Sequence, residues 1–173
     1  MGQGLRFDYV TFDEEYGKVP EFLYNLDRLG QKAIGEVPRN FRVWARRPMC
    51  RSNRAEHTSH RVDKIVSHSP TFYGQNWRRM VIKDTTRSPC VWHVKSAQVY
   101  LVEHKDGKPY CPIPTDRTYW LIAAQNRHTG EMKYFISNAP AKTSLKALLE
   151  IAFSRWHVEK WFARAKQECG FGA

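Results

Sequence analysis

Arg155, Glu159 and Lys166 lie within the stretch SRWHVEKWFARAKQECGF near the C-terminal end of the chain. At about 100° per residue, a helix over this stretch turns Glu159 about 40° and Lys166 about 20° away from Arg155, so the three side chains leave one narrow face. One carboxylate between two cations, with Phe162 beside them, makes a poor core stripe. It suits a site that holds a metal ion next to a phosphate backbone. A second acid stands near the other end, where LRFDYVTF, rich in aromatic and β-branched residues, reads as a strand ending at Asp13. The carboxyl ends of strands are where sites assemble in open α/β sheets. Taken singly, a strand-end Asp most often caps a turn or helix, and an Arg–Glu pair at spacing four is a solvated ion pair.

The elements that must position these residues follow from turn chemistry and periodicity. Glu14-Glu15-Tyr16-Gly17 reads as a turn, and Pro20 opens a helix in which Phe22, Leu23, Leu26 and Leu29 recur at helical spacing, with Gly30 at its C-cap. KAIGEV and FRVWA read as two strands joined by a turn at Pro38-Arg39-Asn40. Residues 46–71 are charged and poor in apolar side chains, and are expected to form a mobile or poorly packed insertion. Cys50, His57, His60 and His68 in that segment are zinc-ligand types, but their spacing matches no compact zinc pattern. From Trp92 to Ile136 the alternation is that of strands, with hairpin turns at Lys105-Asp106-Gly107-Lys108 and Arg127-His128-Thr129-Gly130. Thr143 or Ser144 then caps a helix carrying Leu145, Leu148, Leu149, Ala152 and Trp156, which runs into the Glu159 face and ends at Gly170 and Gly172.

Composition bounds the partner. The 173 residues allow one domain, and a formal net charge of +11 with six Trp, eight Tyr and nine Phe points to a nucleic-acid phosphate backbone. Four scattered cysteines make no disulfide framework, and no apolar run or leader pattern implies a membrane, so the expected location is the cytoplasm, on the nucleoid.

The spacing Arg155, Glu159, Lys166, the strand-end motif VTFDEEYG and the approach YFISNAPAKTSLKALLEIAFSRWHVEKWF together resemble DDE transposases of bacterial insertion sequences, from about residue 7 to residue 171. The subgroup is the one with a Tyr-Arg-Glu-Lys signature, although Ala152 stands where its Tyr belongs. The resemblance implies an α/β fold: a ribonuclease-H-like transposase catalytic core, incomplete, with a β-rich insertion. Residues 5–45 would be its strand-helix-strand segment, 46–140 the insertion and 141–173 the helix with the catalytic Glu. It further implies Asp13 as the second Asp of the triad, Glu159 as its Glu, and Mg²⁺ or Mn²⁺ held by the two. Arg155 and Lys166 would contact double-stranded DNA, and the parent enzyme would be a possible homodimer. Only twelve residues precede Asp13, and Asp8 shares its strand, so the first Asp has no counterpart. The chain is therefore expected to be a C-terminal part of the catalytic domain, truncated and inactive alone. Two other readings stand beside this one. A stand-alone basic nucleic-acid-binding module would need no metal, and a small nuclease would use other acids, Glu14 or Glu15 first.

Overall fold

Strands β1 (Val10–Phe12) and β2 (Ala33–Val37) run parallel, Val10 opposite Ala33 and Phe12 opposite Gly35, with helices α1 (Glu14–Gly17) and α2 (Pro20–Arg28) between them. The computed structural model describes residues 7–51, 54–82, 90–104, 108 and 111–155. Pro20 starts α2 with its φ already set, and Gly30 at φ +68 turns the chain out of it. Leu23 and Tyr24 are buried, whereas Leu29 falls just beyond the last helical residue and is exposed. The stretch after Phe12 is a short helix rather than the expected turn, because Asp13 caps it: its side chain accepts from the Tyr16 backbone N–H.

The chain continues through β3 (Arg42–Trp44), β4 (Cys50–Arg51), β5 (Arg54–Ala55), β6 (His60–Arg61), α3 (Val62–His68), α4 (Pro70–Tyr73), β7 (Arg78–Ile82), β8 (Cys90–His104), β9 (Pro112–Pro114), β10 (Tyr119–Asn126) and β11 (Met132–Ser137). A further helix, α5, is described over residues 145–155. The main sheet has the order β1-β2-β11-β10-β8-β3-β6, with β7 and β9 also paired to β8, and β4 and β5 form a separate ribbon. All its pairings except β1 with β2 are antiparallel. The β10–β11 hairpin forms as its sequence predicts, with Gly130 at φ +74 and the Asn126 side chain accepting from the His128 N–H. β8 and β9 pair as well, while residues 105–107 of the other expected turn lie outside the described residues.

β10 reads YWLIAAQN because both of its faces are covered. Leu121 and Ala123 belong to one core with Leu23, Val62, Ile65 and Phe72; Ile122 and Ala124 belong to the other with Trp92, Phe135 and α5 residues Leu148, Leu149 and Phe153. The Phe153 ring stacks on Trp92 with centroids 4.7 Å apart. Each fully buried leucine of α5 contributes about 2 kcal/mol to that docking.

One expectation about the middle of the chain is corrected. Residues 46–71 are not a loosely packed insertion: Ala55, Ser59, Val62, Ile65 and Val66 are buried, and the Trp44 indole N–H donates to the His57 carbonyl at 3.0 Å. The apolar series Val62, Ile65, Val66 has helical spacing, and it packs despite the charges around it. The strands β2 and β3 are joined by a turn, Phe41 N–H to Pro38 carbonyl, but they are not neighbours, since β11, β10 and β8 lie between them. Four strand spacings in a flat sheet come to about 19 Å. The link from Val37 to Arg42 reaches at most about 18 Å even fully extended. The sheet therefore curls, and β8 carries the bend: it pairs with β10 from Trp92 to Val99 and with β3 at Tyr100 and Leu101.

Candidate active site

Asp13 stands at the carboxyl end of β1, and its position is set by how closely α1 lies on β2. A Cβ on Gly17 would come within 1.8 Å of the Glu36 carbonyl oxygen, so the contact needs a glycine for space. The rings of Phe12, Phe22 and Tyr16 then pack in series, Phe12 edge-on to Phe22 at 5.3 Å and Tyr16 tilted against Phe22 at 5.2 Å, and fix α1 against α2. This leaves Asp13 at the surface, with about one third of its side chain exposed.

Arg155 arrives from the other end of the chain. Leu148, Leu149, Ala152 and Phe153 commit one face of α5 to the core, and Arg155, two residues past Phe153, reaches Asp13 with Nη1 3.3 Å from Oδ2. The two residues are 142 apart in sequence. Glu159 and Lys166 lie outside the described residues, as do Trp156, Trp161 and Phe162. Of the four residues singled out from the sequence, the structure thus brings two together.

Asp13 accepts two hydrogen bonds, from Tyr16 N–H at 3.2 Å and from Arg155 at 3.3 Å. An ionised carboxylate has roughly four acceptor positions. Its remaining lone pairs and partial exposure give it the chemistry of a ligand for a hard cation, but one acid is not a site. Among the described residues no group of three or more His, Cys, Asp or Glu side chains converges, and Cys50, His57, His60 and His68 do not come together. Glu14 and Glu15 are exposed, and Glu15 pairs with Lys18 at 2.5 Å. Among the described residues β1 pairs only with β2.

A second acidic centre escaped the sequence analysis. Asp27, on α2, accepts from Arg117 Nη1 at 2.9 Å, from Asn138 Nδ2 at 3.0 Å and from the Tyr119 hydroxyl at 2.9 Å. Asn138 also accepts from the Ala33 N–H at 2.7 Å and donates to the Gln31 carbonyl, fastening the chain between β11 and α5 to β2. Its partners lie 90 to 111 residues from Asp27, so no local pattern signals the cluster; the motif Ser137-Asn138-Ala139-Pro140 is its one visible trace.

No helix among the described residues is long and apolar enough to cross a membrane. No curated protein matches the chain. The family model described as Transposase DDE domain matches residues 3–173, a span that contains both Asp13 and Arg155. On that match the chain belongs to the transposase DDE domain family, whose fold is ribonuclease-H-like and whose work is DNA transposition.

Proposed function

We propose that this chain is the C-terminal part of a DNA-transposing catalytic domain whose reacting site is built on Asp13 and Glu159. The observation that carries the proposal is the Asp13–Arg155 contact, which joins the strand-end acid to the charged helix face across 142 residues. Glu159 follows Arg155 by four residues, which in a helix would set it about one turn on along the same face. In this reading Asp13 and Glu159 hold Mg²⁺ or Mn²⁺, the oxygen-seeking ions the family uses; when bound, the ions activate the attacking oxygen and stabilise the leaving one. The protein's own groups do the rest. Arg155 and Lys166 hold phosphate oxygens of double-stranded DNA and orient the backbone, and the packed rings of Tyr16, Phe22 and Phe12 keep α1 and Asp13 rigid beneath it.

The site requires a further carboxylate, which we assign to a strand that adds to the edge of β1 that has no partner among the described residues. Such a strand would deliver its acid beside Asp13, so the chain by itself is inactive. The test is plasmid nicking in Mg²⁺ or Mn²⁺. The 173-residue chain should stay at background, and adding an upstream segment with a strand-end Asp, from neighbouring DNA or from an intact relative, should produce cleavage that Asp13→Asn or Glu159→Gln abolishes. Nicking by the chain alone, removed by substituting Glu14 or Glu15, would overturn the assignment in favour of a small nuclease. A second reading, a nucleic-acid-binding module without catalysis, is favoured by the formal net charge of +11. It would show as metal-independent binding with no cleavage under either condition.

A further inference from the structure

Beyond Asp13, at the far end of α1, the surface opens into a cavity of about 790 Å³. Its walls come from separate parts of the chain: Lys18 after α1, Arg42 on β3, Arg51 and Arg54 on the β4–β5 ribbon, and His104 at the end of β8. Glu56 is the one carboxylate among its described lining residues and pairs with Arg51 at 2.6 Å, and Lys18 pairs with Glu15 of α1 at 2.5 Å. Arg42 is held in place from behind, its Nε 3.0 Å from the Ser59 hydroxyl and its Nη2 bonded to the Ser59 carbonyl. Arg54 has no carboxylate partner among the described residues.

We infer that this cavity takes the phosphodiester backbone of one DNA strand a short distance from the reacting phosphate. The inference rests on the reading of Asp13 above and adds a second grip to it. A single small anion would be met by converging donors; here cations from four elements are spread over a cavity large enough for more than one phosphate, which suits a chain of evenly spaced charges. Position supports the same ligand. Lys18 follows the helical turn that Asp13 caps, so their Cα atoms are separated by about 8 Å along the helix at 1.5 Å per residue. Measured along a duplex axis, that is roughly two base-pair steps at about 3.4 Å each. A strand with one phosphate at Asp13 therefore reaches Lys18 without a detour, and contacts beyond it fix which phosphate faces the acid.

The test uses the full chain and a fluorescent 30-base-pair duplex, with affinity measured by anisotropy over a salt series. Lys18→Ala with Arg54→Ala should lower the slope of log K against log salt by about 2 and weaken binding at 0.1 M salt by roughly sixtyfold, as expected for the loss of two phosphate contacts. Both residues are exposed, so the melting temperature should hold; if it drops, the charge-keeping pair Lys18→Arg with Arg54→Lys must restore affinity and slope. An unchanged slope in the alanine pair, with the parent chain binding normally, overturns the cavity while leaving the Asp13 reading intact. So does an equal change from Lys142→Ala with Lys146→Ala, two exposed cations outside the cavity. A parent chain that binds no DNA overturns both.

Discussion

Asp13 and Asp27 each meet an arginine from far along the chain, and the two meetings differ in kind. Asp27 is about four-fifths buried and takes three side-chain donors at 2.9 to 3.0 Å. Asp13 is half-buried and takes two weaker ones, at 3.2 and 3.3 Å. The first carboxylate is nearly saturated and holds α2, β10 and the segment before α5 in register. The second keeps acceptor capacity uncommitted at a strand end. Two acids of one residue type, both paired to Arg, are thus told apart by how much of their bonding capacity the fold has already used.

The largest effect should come from breaking the saturated centre. Asp27→Ala strands the Tyr119 hydroxyl and one Asn138 amide hydrogen, and is expected to cost about 3 kcal/mol. Thermal melting should fall by about 10 °C for a domain of this size. A loss no larger than that of Asp13→Asn would erase the distinction. Next is Gly17→Ala, whose Cβ would meet the Glu36 carbonyl and force α1 off β2. It should cost about 2 kcal/mol and blunt any function of Asp13, measured by melting and by metal-dependent DNA binding in one variant.

High pH offers a smaller and graded test. Burial, followed by the charge of Glu103, pushes the Tyr24 hydroxyl far above the ordinary tyrosine range; burial and the hydrogen bond to Asp27 do the same for Tyr119. A folded pKa above the unfolded value means the stabilisation is complete below the unfolded pKa, about 10, and is lost as pH rises past it. Denaturant midpoints should therefore hold up to about pH 10 and fall as pH rises above it, and Tyr119→Phe should flatten that fall. A midpoint constant through this range would place both hydroxyls in water. The smallest effect belongs to Asp13→Asn. Asn caps a helix as well as Asp, and a half-exposed ion pair contributes little, so stability should move by less than about 1 kcal/mol.

What the sequence disclosed follows the same division between local and distant. Pro20 and Gly30 bracket α2, Gly130 turns the β10–β11 hairpin, and the strand before Asp13 exists, though only Val10–Phe12 of it is extended and paired. These are local signals, written within a few residues. The curl of the sheet was not legible, because the turn at Pro38–Phe41 looks the same whether it joins neighbours or strands four places apart. Nor was the burial of Ala55, Ser59, Val62, Ile65 and Val66, where a three-residue apolar series outweighs the surrounding charge. Lys95 is the sharpest case: a cation in the middle of β8, buried, with Nζ on the Phe72 carbonyl at 3.0 Å and over the Trp77 ring at 4.9 Å. Those partners come from α4 and from the residue before β7, which pairs with β8, and neither is near it in sequence.

The placement of β11 between β2 and β10 also sets a schedule. Ile34 waits for Ser137, about 100 residues later, and at 5–20 residues per second that is roughly 5 to 20 seconds of synthesis during which the parallel strands have no antiparallel neighbour. An apolar ribbon held open for so long is a natural client for a chaperone. The same delay holds at Asp13. Arg155 cannot meet Asp13 until the chain as far as α5 has left the ribosome, so a nascent or prematurely ended product lacks that contact.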